Sequence, residues 1–223
     1  MRAILLFLAA LIAAPLAHAQ TRDWRQTVTM TPEGAYAIGN PKAKVTLVEY
    51  LSYTCPHCAH FMQESKAELM DGLVRRGSVR VELRHALRDP LDLAAALLAR
   101  CGGAKGFVPA SEALFASQSQ WVEKGFDFQQ DNAQRLQRYP ADERTRMVID
   151  ASGLPDMAQS LGLTKAQADA CLADKAQSLK LADMAQKSWS QIEGTPAFLV
   201  NGQKAETTSW AALKPKLSAA GAK

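Results

Sequence analysis

The sequence predicts an α/β protein in which an all-helical domain is inserted into a small α/β core. Three observations carry that expectation. First, a β-like run (Val45–Leu51) passes through Cys55-Pro56-His57-Cys58 into a helix-like run over 61–74, and a second strand-like run follows over 79–84. Second, from Asp89 to about Gln191 every periodic signal is helical and no strand pattern intervenes. Third, the strand pattern resumes at Ala197–Val200, after Thr195-Pro196, and Asn201-Gly202 then gives a hairpin turn signal. The expected division is a core made of 20–88 and 193–223, with a helical insertion over 89–192.

Met1 and Arg2 precede an apolar run over 3–14, and Ala17 and Ala19 supply the small residues a signal peptidase reads. A cleaved signal peptide is therefore expected over 1–19, with the mature chain beginning near Gln20. The apolar run falls short of the ~20 residues that span a bilayer, and no cysteine before Cys55 offers a lipid anchor. The formal charge of +4 falls to +3 without Arg2, and acidic and basic residues are interspersed, which gives no footprint for nucleic acid. Lys214, Lys216 and Lys223 read as a solvated helix end. All four cysteines lie in the part expected to be exported, and an even count suits an oxidising compartment such as the periplasm.

Over 20–44, short strand-like pieces at Val28–Met30 and Tyr36–Ile38 are separated by Pro32-Glu33-Gly34 and closed by Gly39-Asn40-Pro41, all turn signals. This segment is too short for a separate dimerisation domain, so a monomer is expected. Val45–Leu51 reads as a buried central strand that contains Glu49, and a carboxylate there is costly without a job or a partner. Two readings of Glu49 follow: a proton relay or electrostatic modulator near the cysteines, or a side chain that reaches the sheet edge. In the next helix Phe61, Met62, Leu69, Leu73 and Val74 form an apolar stripe that stops at Gly77, with His60 at the rim. Residues 79–84 alternate as a half-buried strand does.

Asp89-Pro90 predicts a helix start, Leu93, Leu97 and Cys101 share one face, and Gly102-Gly103 ends the helix. Further helices are expected over 112–123, 127–138 and 141–151. Thr164 and Gln167 form a capping box opening the helix that holds Cys171, and Asp174 caps a last one running to Ile192. Phe115, Trp121, Phe126 and Phe128 are expected in the core of this helical block. Pro196 opens a strand, since the residue before a proline is pushed out of the helical region, and an X-Pro bond is the common place for a cis peptide. Ser209 caps the closing helix through Trp210, Leu213 and Leu217.

The chemistry concentrates at Cys55-Pro56-His57-Cys58. A strand-to-helix junction puts orphan N–H groups and the positive end of the helix dipole against the Cys55 sulfur. Pro56 suits the first helical turn, and His57 adds a donor or cation beside the same sulfur, which favours the thiolate. Cys58, three residues on, can close a short disulfide. The pattern implies a reversible dithiol/disulfide. A zinc site would need a second close ligand pair, whereas Cys101 and Cys171 stand alone. Haem attachment would need His where Ala59 stands. No metal or organic cofactor is expected. Cys101 and Cys171 are either buried free thiols or a permanent disulfide, and the oxidising compartment favours the disulfide.

Glu49, Cys55-Pro56-His57-Cys58 and Thr195-Pro196, with a helical block between the second and third core strands, resemble the DsbA-like thiol:disulfide oxidoreductases of bacterial periplasms. The resemblance implies a thioredoxin fold with an inserted all-helical domain. It implies Cys55 as attacking thiolate, Cys58 as buried resolving thiol, Pro196 as a cis-proline facing them, and the loop around Thr195 as a binder of extended substrate chain. It also implies reduced exported polypeptides as substrates and a DsbB-type, quinone-coupled membrane protein as reoxidant. Met62 departs from the pattern, standing where typical members carry a second acid. Thr195 departs too, resembling disulfide isomerases where strong oxidases often have valine. The Cys101 and Cys171 pair resembles an extra disulfide of some alphaproteobacterial members. The alternatives are an isomerase or reductase, and a copper-handling thiol protein, since soft thiolates suit Cu(I).

Overall fold

The computed structural model describes residues 22–223; the expected signal segment and the mature start at Gln20 lie outside them. Among the described residues one sheet has the order β1-β2-β4-β3-β5-β6, with β1 Val28–Met30, β2 Tyr36–Ile38, β3 Val45–Leu51, β4 Val79–His85, β5 Ala197–Val200 and β6 Gln203–Lys204. β3 is central, parallel to β4 and antiparallel to β5, so that Leu47 pairs with both Val81 and Val200. Six of its seven residues are buried, as expected for a strand covered on both faces. α1 (Pro56–Ser65) follows β3 and carries Cys58, Ala59, Phe61 and Ser65 on its buried face. Phe61 stacks tilted on Phe198 of β5, ring centroids 4.4 Å apart, which ties this helix to the sheet.

The helix expected over 61–74 is broken. After Ser65 the chain continues as a π-helical turn at Leu69–Val74, with i→i+5 bonds such as Asp71 N–H to Lys66 O at 2.9 Å. Leu69, Met70 and Val74 are buried on this turn, whose i→i+5 bonding is the mark of a π-bulge. Gly77 stops it at φ +82°, where the indole of Trp24 occupies the space a Cβ would need.

Eight helices lie between β4 and β5: α2 Pro90–Cys101, α3 Gly103–Ala116, α4 Gln118–Asp131, α5 Ala133–Leu136, α6 Ala141–Ser152, α7 Leu154–Ser160, α8 Lys165–Leu172 and α9 Lys175–Trp189. Asp89 caps α2 by accepting from Asp92 N–H, the Thr164/Gln167 capping box opens α8, and Asp174 caps α9. Several expected boundaries differ. Gly102-Gly103 ends α2 but does not begin a loop: α3 starts at Gly103, in spite of two glycines and Pro109, because Phe107, Ala110, Ser111 and Leu114 form a buried stripe. The helices expected over 112–123 and 127–138 are therefore cut at Ser117 and Asn132 instead. α9 stops at Trp189, short of Ile192. Phe115 and Trp121 are buried, whereas Phe126 is 42% exposed and lies outside the core. α10 (Trp210–Ala219), capped by Ser209, closes the fold.

Candidate active site

Residues 52–55 carry the chain from β3 into α1. Several of their polar groups are met by the inserted helices and the residues that lead into them. Asp92, fully buried in the first turn of α2, accepts from Tyr53 N–H (2.8 Å), the Ser52 hydroxyl (2.6 Å) and Arg88 N–H (3.0 Å). The Thr54 hydroxyl donates to Asp89 at 2.6 Å, and the Tyr53 and Ser111 hydroxyls bond at 2.6 Å. From α4, the Gln118 amide donates to the carbonyls of Tyr53 and Cys55 at 2.8 and 2.7 Å. Burial raises the Asp92 carboxyl to about 7 against the pull of these hydrogen bonds. The sequence offered a faint sign of Asp92, an acid between Leu91 and Leu93 on an apolar stripe. It offered none of Gln118, whose partners lie 63 and 65 residues away.

Cys55 is the N-cap of α1, with φ −87° and ψ 115°, and Pro56 takes the first helical position. The Thr195-Pro196 bond is cis, and the Cys55 thiol donates to the Thr195 carbonyl at 3.2 Å, so strand β5 delivers this loop directly onto the sulfur. Exposure does not separate the two cysteines. Cys55 is 3% exposed, against 1% for Cys58, because the Thr195 loop covers it. Ionisation separates them instead. The Cys55 thiol is pulled down to about 4, chiefly by a hydrogen bond from Cys58, opposed by burial, and helped by the Thr195 side chain and the backbone N–H groups of Cys58 and His57. Cys58 is pushed up, by burial first and then by the hydrogen bond and charge of Cys55. The imidazole of His57, expected beside the sulfur, belongs to an exposed residue, and it is the His57 backbone that assists.

Glu49 does not reach the sheet edge. It sits in β3 between Leu83 and Phe198, 3% exposed. Its Oε1 has no hydrogen-bond partner, and burial raises its carboxyl to about 8. Glu49 lines a small cavity with Met62, Ser65, Ser111 and Glu112 that neither cysteine touches. Met62, standing where a second acid is typical, thus shares the Glu49 cavity and leaves it with one carboxylate fewer. Away from the site, Cys101 and Cys171 form a disulfide joining α2 to α8, with Cα atoms 5.8 Å apart.

A dithiol at a helix N-terminus, facing a cis-proline on a neighbouring strand, defines the thioredoxin class. The sequence matches the family described as Thioredoxin over residues 31–218, and the chain belongs to that family. It is similar to the protein-disulfide isomerase from Novosphingobium aromaticivorans, 35% identical with a TM-score of 0.75, over 82% of this chain and 95% of that one. It is also similar to a Rickettsia prowazekii protein named as a protein-disulfide oxidoreductase, 30% identical over 77% of this chain; the chain spans 56% of the length of that relative. The fold matches Wolbachia pipientis alpha-DsbA1, with a TM-score of 0.67 at 19% identity, over 85% of this chain and 92% of that one.

Proposed function

We propose that this chain is an exported thiol:disulfide oxidoreductase that acts as an oxidase, introducing disulfides into reduced exported polypeptides through Cys55 and Cys58. A substrate thiolate attacks the Cys55 sulfur and breaks the Cys55–Cys58 bond, and Cys58 leaves and takes up a proton. A second substrate thiolate then attacks the substrate sulfur of the mixed disulfide, and Cys55 leaves as a thiolate. The substrate gives up two electrons and two protons. Both electrons reduce the cysteine pair, one proton ends on Cys58 and the other goes to water. The setting is the periplasm, the protein works as a monomer, and a DsbB-type membrane partner coupled to quinone restores the disulfide.

The observation that supports this reading is the ionisation of Cys55. Its folded value near 4 lies below the 9.0 of the free thiol. A depressed value stabilises the reduced fold fully above the unfolded pKa, and that contribution is lost as pH falls through the folded one. At pH 7 it is worth about 4 kcal/mol to the reduced form. The disulfide form has no such contribution, and a loop this short gains little from cross-linking. Reduced protein should melt higher than oxidised protein at pH 7, with the gap closing toward pH 4. An oxidised form that melts higher at pH 7 would favour a reductase.

Thr195 supports a second reading, disulfide isomerase, in line with the name of the Novosphingobium protein. Reactivation of a scrambled disulfide protein by catalytic amounts of reduced protein, without net oxidation, is the result that would establish it over the oxidase.

A further inference from the structure

We propose that Gln118 is a positioning residue for Cys55: its one side-chain amide, donating to the carbonyls of Tyr53 and Cys55, fixes the backbone from which the nucleophilic sulfur projects. The inference rests on the reading of Cys55 as the attacking thiolate.

Gln118 is the first residue of α4 and is buried. Both of its N–H bonds are spent on carbonyls that flank Thr54, at 2.8 and 2.7 Å. Between those carbonyls the Thr54 hydroxyl is held by Asp89. The peptide planes on either side of the step into α1 are thereby fixed from outside the core. The Cys55 carbonyl is also the first acceptor of α1, taking Cys58 N–H at 3.1 Å and Ala59 N–H at 3.3 Å. Its direction thereby bears on the Cys58 N–H, one of the backbone groups that assist the thiolate. The amide dipole of Gln118 adds an electrostatic effect of the same sign, because its positive end lies against the carbonyl oxygen of Cys55 itself. Removing the amide leaves that oxygen's negative charge less compensated and loosens the hold on the Cys58 N–H.

A purely structural role would also use both hydrogen bonds, so stability alone does not decide the matter. The deciding quantity is the thiolate titration of reduced protein, followed by absorbance at about 240 nm and by the alkylation rate of Cys55 against pH. Gln118→Met keeps the length of the side chain and removes its donors. Its thiolate midpoint should rise by about one pH unit, with alkylation near pH 4 slowed several-fold. Gln118→Glu should raise the midpoint further. A folded Gln118→Met protein with the wild-type midpoint overturns the proposal, even if its melting temperature has dropped. A measurement on the unaltered protein covers the case in which the variants fail to fold. The 15N-labelled side-chain amide of Gln118 should titrate with the same midpoint as the Cys55 thiolate and differ between reduced and oxidised protein. An amide signal that ignores both changes overturns the proposal. Failure of the reading of Cys55 as the attacking thiolate would look different: in wild-type protein Cys58, not Cys55, would be the first to ionise.

Discussion

Replacing Glu49 by Gln removes the only carboxyl group of β3 while keeping its shape. Burial lifts this carboxyl from 4.5 to about 8, so the folded protein holds a proton that the unfolded chain releases. The resulting stability is fully present below the unfolded value, is lost as pH rises, and levels off once the folded value is passed. At about 1.4 kcal/mol per unit, the whole window amounts to a loss of about 5 kcal/mol, of which about 3 kcal/mol is already gone at pH 7. Asp92, raised from 3.8 to about 7, contributes in the same direction but finishes earlier. The interval between about pH 7 and 8.5 therefore belongs to Glu49. The assay is denaturant unfolding of oxidised protein, in which Cys55 and Cys58 do not titrate, at pH steps from about 5 to 9. Wild-type protein should still lose stability across the upper interval, and Glu49→Gln should be flat there. The absolute gain at pH 7 will be smaller than the charging cost, because the buried amide leaves unpaired polar atoms worth about 1–3 kcal/mol. If Glu49→Gln keeps the wild-type slope above pH 7, the carboxyl is not held protonated and the assignment fails.

Alkylation of reduced protein near pH 6 should label Cys55 far faster than Cys58, as read by peptide mass mapping, although both are buried; labelling of Cys58 first would reverse their roles. Replacing Cys101 and Cys171 together by Ala opens a loop of 70 residues, which the chain-entropy model values at about 4 kcal/mol. That corresponds to a fall of about 8–16 °C in melting temperature by calorimetry, while oxidation of a reduced test peptide continues. Loss of turnover in the folded double variant would mean instead that this pair relays electrons.

The parts of the fold that were legible are those governed by nearby residues. Val45–Leu51 announced itself by unbroken apolar character, the Thr164/Gln167 box by its spacing, and Pro196 by the backbone restriction it imposes. The cysteine pair and its strand-to-helix setting were readable for the same reason. What escaped depends on residues distant in sequence. The widened turn at Leu69–Val74 buries Leu69, Met70 and Val74 in the core. α3 contains Gly103, Gly106 and Pro109, whose local preference is against helix, and only the buried stripe through Phe107 and Leu114 overrides it. Phe126 sits between buried Trp121 and partly buried Phe128 in α4, yet the helix turns it outward. The cover over Cys55 comes from a loop 140 residues on. Ionisation of the two thiols likewise depends on Thr195, beyond the reach of spacing arguments.

α2 is a helix of 12 residues, or about 18 Å at the usual rise. One tip grips the segment before Cys55 through Asp89 and Asp92, and the other is riveted to α8 by a covalent bond. With hydrogen bonds at one end and a covalent rivet at the other, the strut is weakest at its polar grip on Ser52, Tyr53 and Thr54, the three residues that lead into Cys55.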